Sequence, residues 1–406
     1  MKTSISAQSR SVLSLLTIAL LAGCGSVSSS NTPAPTASPT PPVATPSPTA
    51  TPNPSPSPSP TASPSPTPAA AHGTFVFVSG TGSASQPTDG YRLNPDGTLT
   101  LLSGSPFAIG GMLASSGNFL MVASGNAVSS YRVNPGTGAP SKVASISVGS
   151  TLAIAADEKD VYVASTASNN SLISGFHVSP SGAMSVIAGD PFFYAEVCGG
   201  CPLPNSLALN NRLLAVGAIE APNTGDFGQF AIFTRASNGS LTFSGDFDGP
   251  EEDSVALQHP TGNVGFAIDS NLGSINSYLI DANGGVTAGT TVPAGGAFFI
   301  DEVVDATGKF LLGLDTAGVV HIFAIDSTNA GISQVGTSEP AGSGGRLIAM
   351  DPSGRFVIVA QSSSVGTPPG TDQITVFTFD PASGAMTKLQ SYPVGAKPGH
   401  MTIVAE

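Results

Sequence analysis

The chain has 406 residues, with 13 Lys and Arg against 26 Asp and Glu and a formal net charge of −13. A chain this acidic repels a phosphate backbone, which argues against nucleic acid as a partner. Only 10% of the residues are charged, Trp is absent, and 48 Gly and 35 Pro point to an all-β fold with many turns.

At the N-terminus, Lys2 and Arg10 precede a short apolar run, SVLSLLTIALLAG (11–23). The run falls short of the about 20 residues that span a bilayer, so residues 1–23 read as a signal peptide. It ends in Leu21-Ala22-Gly23-Cys24, which resembles the lipobox of bacterial lipoproteins. The resemblance implies cleavage before Cys24 and acylation of its thiol and its new amine. Each buried CH₂ of an acyl chain adds about 0.8 kcal/mol, so several chains together hold a protein to a membrane. Gly25 follows, with no Asp there to suggest inner-membrane retention. The expected location is the cell envelope, lipid-anchored at the outer membrane. An ordinary secretory signal with an incidental Cys is the alternative.

Residues 24–71 read as the lipidated Cys and a disordered linker. Fifteen of the 35 prolines lie between 31 and 70, and no charged residue or His occurs from Ser11 to Ala71. Such a stretch cannot bury a core and favours polyproline II. At about 3.1 Å per residue, forty residues reach on the order of 120 Å, a stalk that holds the rest away from the membrane.

From residue 72 the chain repeats. Apolar strands recur at FVFV (75–78), FLMV (119–122), VYVAS (161–165), RLLAVG (212–217), NVGFAI (263–268), KFLLGL (309–314) and RFVIVA (355–360). Each leads to a strand with an aromatic and a turn, as in YRLNPDG (91–97) or FTFDPASG (377–384), then to a short edge strand such as SLTFS (240–244) or AMTKL (385–389). A fourth strand precedes the next apolar run, as in FIDEVV (299–304) and RLIAM (346–350). Period-two alternation, Asn/Asp/Gly turns and seven such groups describe a seven-bladed β-propeller of four-stranded blades over 72–406. The first group lacks its inner strand, and MTIVA (401–405) is left over at the other end. The C-terminal strand is therefore expected to pair into blade one and close the ring.

The repeat resembles the lactonase-type seven-bladed propellers, the group that includes a bacterial 6-phosphogluconolactonase and a fungal muconate cyclase, and the related YVTN surface-protein repeats. DPSGRFVIVAQ (351–361), ITVFTFDPASGAM (374–386), GSPF (104–107) and GDPF (189–192) carry the resemblance. It implies a ring of Pro-x-His motifs at the mouth of the central channel. Here Pro398-Gly399-His400 keeps the motif whole. Spacing places Thr151, Ser206, Val255, Asp301 and Leu347 at the His position of other blades, with the second blade aligning near Met112. Arg346 takes the middle position in its blade.

Opening a lactone needs a base for water and a donor or cation for the oxyanion. The resemblance offers His400 as base, Arg346 as cation, and Asp301 or Glu302 to orient the imidazole. The plain alternative is a polar residue at the head of a strand and a channel-mouth charge paired to a carboxylate. Three other features sit on the expected long-loop face. Phe192, Phe193 and Tyr194 could stack on a ligand. Cys198 and Cys201, in CGGC, read as a local disulfide outside the reducing cytoplasm. DFDGPEED (246–253) resembles half of a calcium loop but lacks the remaining spacing, and reads as a solvated acidic loop; if a divalent cation binds, Asp246, Asp248 and Glu252 are its ligands, and no other cofactor is expected. The sequence alone favours an envelope lipoprotein, monomeric, that binds an unknown ligand or protein without catalysis. Lactone hydrolysis is the alternative, and catalysis is left undecided.

Overall fold

The computed structural model describes residues 73–80, 86–167, 170–193, 203–219, 229–248, 256–260, 262–269, 272–362, 372–395 and 397–405. The signal peptide, Cys24 and the linker lie outside them, as do Tyr194, Cys198, Cys201, Glu252 and Val255. All described residues belong to one compact unit, residues 66–406.

Seven antiparallel sheets follow in chain order, each with an inner, second, third and outer strand. The inner strands are Met112–Ser116 in blade 2, Ser150–Ala156 in blade 3, Leu203–Leu209 in blade 4, Ala256–Gln258 in blade 5, Phe299–Val304 in blade 6 and Gly345–Met350 in blade 7. Blade 1 borrows its inner strand from the chain's other end. Pro398–Ala405 pairs antiparallel with Thr74–Gly80, with Thr74 opposite Ala405 and Ser79 opposite His400. The expected closure is therefore present, and contacts between neighbouring inner strands run around the whole ring.

The apolar runs are the second strands. Val264–Asp269 and Phe356–Gln361 are buried at every residue. A second strand has a blade on each side, so both of its faces need apolar side chains and the period-two pattern vanishes. The outer strands face solvent and regain it, as Pro140–Ser147 does. Seven buried clusters fill the seven blade junctions. One joins Val76 and Tyr91 of blade 1 to Ile358 and Val376 of blade 7, across the closure.

The outer strands depart from the short edge strands expected. In blades 2, 4, 5 and 7 they run eight residues, because a bulge carries the pairing past the point where the alternation breaks. In blades 1 and 3 they are cut short, and GSPF and GDPF are the reason. The Ser105–Pro106 and Asp190–Pro191 bonds are cis. The outer strand stops there, and the chain rejoins the third strand at Phe107 and at Phe192–Phe193. Ser105 Oγ accepts from Gly90 N at 3.0 Å, and Asp190 Oδ1 from Gly175 N at 2.8 Å, replacing the carbonyl that the outer strand no longer offers. A Cβ on Gly90 would stand 2.8 Å from the Phe107 ring. Phe192 is thereby a core residue, buried with Tyr162, Ile173 and Leu214, and this burial corrects its expected role of stacking on a ligand.

The connections divide the ring into two faces. Inner-to-second and third-to-outer connections are short turns on one face; the remaining connections, including the long ones, lie on the other. On the turn face, basic side chains tie neighbouring blades at five of the seven junctions. Arg92 lies over the Phe75 ring at 4.8 Å and donates to Gly136 O of blade 2. Arg132 repeats this over Phe119 and donates to Pro180 O of blade 3. Arg212 donates to Asp281 O and Ala282 O of blade 5, and Arg355 to Pro95 O of blade 1. At blade 3 the pair changes from Arg over Phe to His177 on Asp160, at 2.5 Å. Arg235 of blade 4 then reaches back, pairing with Asp157 and Asp160 over the Tyr162 ring.

Candidate functional site at the channel mouth

The inner strands begin on the face with the long connections. Near this end, in five blades, the pairing with the second strand slips by one residue. The extra residues are Leu152, Asn205, Ile300, Arg346 and Gly399. Pro-x-His is thus the sequence of a bulge, in which the middle residue is unpaired and the His follows it. Bulges re-aim side chains at barrel and ring mouths, and this one frees Arg346, an exposed residue, from the ladder.

Pairing fixes which residues share the level of His400. They are Met112 opposite Ala123, Ala153 opposite Ala164, Ser206 opposite Gly217, Asp301 opposite Leu314 and Leu347 opposite Ala360. Ser206, Asp301 and Leu347 stand where spacing put them. Ala153 replaces Thr151, because the bulge at Leu152 shifts the register that spacing alone could not see.

Alternation then decides what each side chain faces. Ile403 packs into the blade 7 junction and Val404 into the blade 2 junction. His400, of the same parity as Val404, therefore faces blade 2. Its side chain has no hydrogen bond to any described residue, and burial pushes its pKa down to about 4. It is a neutral imidazole with both nitrogens uncommitted among the described residues. Arg346, likewise, has no hydrogen-bonding or ionic partner among them.

Asp301 faces blade 7. Its Oδ2 accepts from Ile348 N at 2.8 Å and its Oδ1 from Glu302 N at 3.0 Å. These bonds brace the strand that carries Arg346. Burial outweighs them and pushes the carboxyl up to about 7. Glu302 points the other way, 5% exposed, and neither carboxyl oxygen has a partner among the described residues. Burial and the neighbouring Asp301 push its pKa well above the usual carboxylate range. Neither acid bonds to His400. The expectation that one of them orients the imidazole is corrected: Asp301 holds a strand, and Glu302 is buried on the opposite side.

Three successive blades thus bring Asp301, Arg346 and His400 to one end of the channel, as a backbone brace and, among the described residues, an unpaired cation and an unpaired base. Elsewhere, Asp246 and Asp248 lie two apart on the outer strand of blade 4, and no group of three metal-ligating side chains occurs among the described residues. A cavity of about 470 Å³ lies on the turn face beside Arg235, whose charge is already spent on Asp157 and Asp160. Another of about 370 Å³ lies between blades 1 and 7, walled by Tyr91 and Tyr392. There Asp89 Oδ2 accepts from Gly395 N at 2.7 Å and Tyr91 donates to Pro393 O, fixing the connection that leads to His400. Sequence reasoning missed this pair, because both residues sit in an ordinary strand.

Residues 303–403 match the family model described as lactonase, 7-bladed β-propeller. Over 156 residues the chain is 30% identical to a 6-phosphogluconolactonase of Serratia proteamaculans (strain 568), a match covering 36% of this chain and 45% of that protein. It is 29% identical over 157 residues to a 6-phosphogluconolactonase of Yersinia pestis (strain Pestoides F), covering 36% and 43%. The chain spans under half the length of these curated relatives. Among solved structures, it is similar to the periplasmic gluconolactonase of Pseudomonas aeruginosa, with a TM-score of 0.61 at 18% identity over 82% of this chain and 99% of that one. A protein from Lactobacillus plantarum gives 0.63 at 19% identity, over 82% and 99%. At these identities the structures share the fold. The resemblance to lactonase-type seven-bladed propellers is borne out. Arg346 and His400 fall inside the matched stretch, and Asp301 and Glu302 just outside it.

Proposed function

We propose that the protein hydrolyses a lactone at the channel mouth. One observation carries this reading: the stretch that matches the lactonase family contains both the uncommitted base and the uncommitted cation. This reverses the balance struck from the sequence alone, where binding without catalysis is favoured. His400 takes a proton from water as the water oxygen bonds to the lactone carbonyl carbon. Arg346 donates to the carbonyl oxygen as negative charge builds there. When the ring C–O bond breaks, His400 returns the proton to the leaving oxygen. The products are a hydroxy acid, which ionises at neutral pH, and the unchanged enzyme. Asp301 keeps its place as a positioning residue, through Ile348 N.

The test is hydrolysis of a lactone panel by the full chain. We expect His400→Ala to lower kcat/KM by about 10²–10⁴-fold, and Arg346→Ala by about 10²–10³-fold, with the fold retained. Hydrolysis of no lactone above its uncatalysed rate would refute the reading. The remaining assignments belong to the same proposal: a lipid anchor on Cys24, an outer-membrane location, a Cys198–Cys201 disulfide and a monomeric state.

A further inference from the structure

We infer that Ser338, His321 and Asp315 form a second hydrolytic centre, on the rim of blade 6, in which Ser338 is the nucleophile for a small carboxylic ester. It uses none of the channel-mouth residues. In blade 6, as in blades 1 and 3, the outer strand stops early. Gly331–Gln334 ends, and the chain rejoins the third strand, Val319–Asp326, at Glu339–Pro340. That break brings Ser338 to His321. Ser338 Oγ stands 3.1 Å from His321 Nδ1, and His321 Nε2 stands 3.0 Å from Asp315 Oδ2. A carboxylate oxygen only accepts, so Nε2 holds the imidazole proton and Nδ1 accepts from the Ser338 hydroxyl. Gln334 Nε2 donates to the same Oγ at 3.2 Å.

The three side chains are braced and graded in burial. Asp315 is 4% exposed, and its Oδ1 accepts from Val319 N at 2.8 Å. His321 is 14% exposed, with Phe299 edge-on to its ring at 5.2 Å and Phe323 stacked at 6.5 Å. Ser338 is half-buried. A base held by a buried carboxylate and bonded to a hydroxyl is the arrangement that activates a serine, and it is recognised by geometry and roles. Here Nε2 rather than Nδ1 meets the carboxylate. The proton path is unchanged, since one ring nitrogen donates and the other accepts. Phe298, 45% exposed, donates its N–H to Thr316 Oγ1 at 3.3 Å, next to Asp315. It adds an apolar surface at this blade 5–blade 6 junction, which suits an apolar acyl group. Ser338 Oγ bonds to the ester carbonyl carbon as its proton passes to His321 Nδ1, and the Gln334 amide donates to the oxyanion. The ester C–O bond breaks, and His321 gives that proton to the leaving alcohol. Water then adds to the acyl-enzyme, giving a proton to His321, which returns it to Ser338 as the acid leaves.

The experiment treats the full chain with an alkyl fluorophosphonate, which bonds to an activated serine with loss of fluoride, and maps the labelled peptide. In parallel it follows hydrolysis of p-nitrophenyl butyrate. We expect stoichiometric label on Ser338 and a burst of p-nitrophenolate as the acyl-enzyme fills. Ser338→Ala should abolish the label and lower kcat/KM for the ester by about 10²-fold or more. Label absent from Ser338 overturns the inference, and this reading needs no variant to fold. So does ester hydrolysis that Ser338→Ala retains, or that His400→Ala removes, which would place it at the channel mouth. Each of these outcomes leaves lactone hydrolysis to its own test.

Discussion

His400 makes a prediction that can be worked through to a number. Its pKa falls from the ordinary 6.5 to about 4 on folding, with burial as the cause. Between those values the unfolded chain binds a proton and the native site does not. Stability therefore drops as pH falls through this window, and the drop saturates below about pH 4. One pKa unit corresponds to about 1.36 kcal/mol, so His400 costs the fold about 2.5 kcal/mol at pH 4.5 and almost nothing at pH 7. His400→Gln keeps a polar side chain of similar size and cannot titrate. Urea unfolding of wild type and variant at both pH values isolates the effect, because contributions common to the two chains cancel. We expect the variant to gain about 2.5 kcal/mol on wild type between pH 7 and pH 4.5. A stability difference equal at both pH values would mean that His400 is solvated in the fold. It would also remove the reason for a neutral base, and kcat/KM would lose its acid limb near pH 4.

Glu302→Gln tests the buried acid in the opposite direction. The native site keeps its proton while the unfolded Glu ionises, so wild type loses ground to the Gln variant as pH rises. Thermal midpoints at pH 5 and pH 8 should show the gap widening, and a constant gap would mean that Glu302 ionises in place. Arg235→Ala removes one of the two partners of Asp160, whose side chain is 4% exposed and which keeps His177, and should cost about 3 kcal/mol in chemical unfolding. A loss under about 1 kcal/mol would show that the blade 3–blade 4 tie is ornamental. Cys24→Ala should move the protein from the membrane pellet to the soluble fraction; continued sedimentation with membranes would refute lipid attachment there.

Blade number, strand identity and ring closure could be read from the sequence because each rests on many residues. A second strand such as Phe356–Gln361 must be apolar along its whole length, since blades cover both of its faces. The closure followed from one missing strand at one end and one surplus strand at the other. What could not be read depends on single residues. The bulge at Leu152 changes which residue stands level with His400, and no composition rule marks it. GSPF and GDPF looked like family signatures, and the structure shows why they recur: Ser105 and Asp190 cap a glycine N–H where the outer strand breaks. Arg92 and Arg132 carry no sequence signal of their role, because the turns they bond belong to the neighbouring blade.

The same contrast explains how a propeller can keep its fold while its mouth drifts. Each bulge sets one residue per blade outside the ladder, and its surroundings differ from blade to blade. Gly399, Ile300, Asn205, Leu152 and Arg346 all occupy the position, from no side chain to a full cation. Ile300 packs against the blade 6–blade 7 core, whereas Arg346 is exposed, so packing constrains the first position and leaves the second open. The turn face is the opposite case. Arg92 and Arg132 hold aromatic rings and neighbouring carbonyls together, and replacing either would leave the Phe ring uncovered and the junction untied. A cation on that face is evidence about stability. Arg346 is exposed and has no such partner among the described residues, which gives it more functional weight than the other arginines of the propeller.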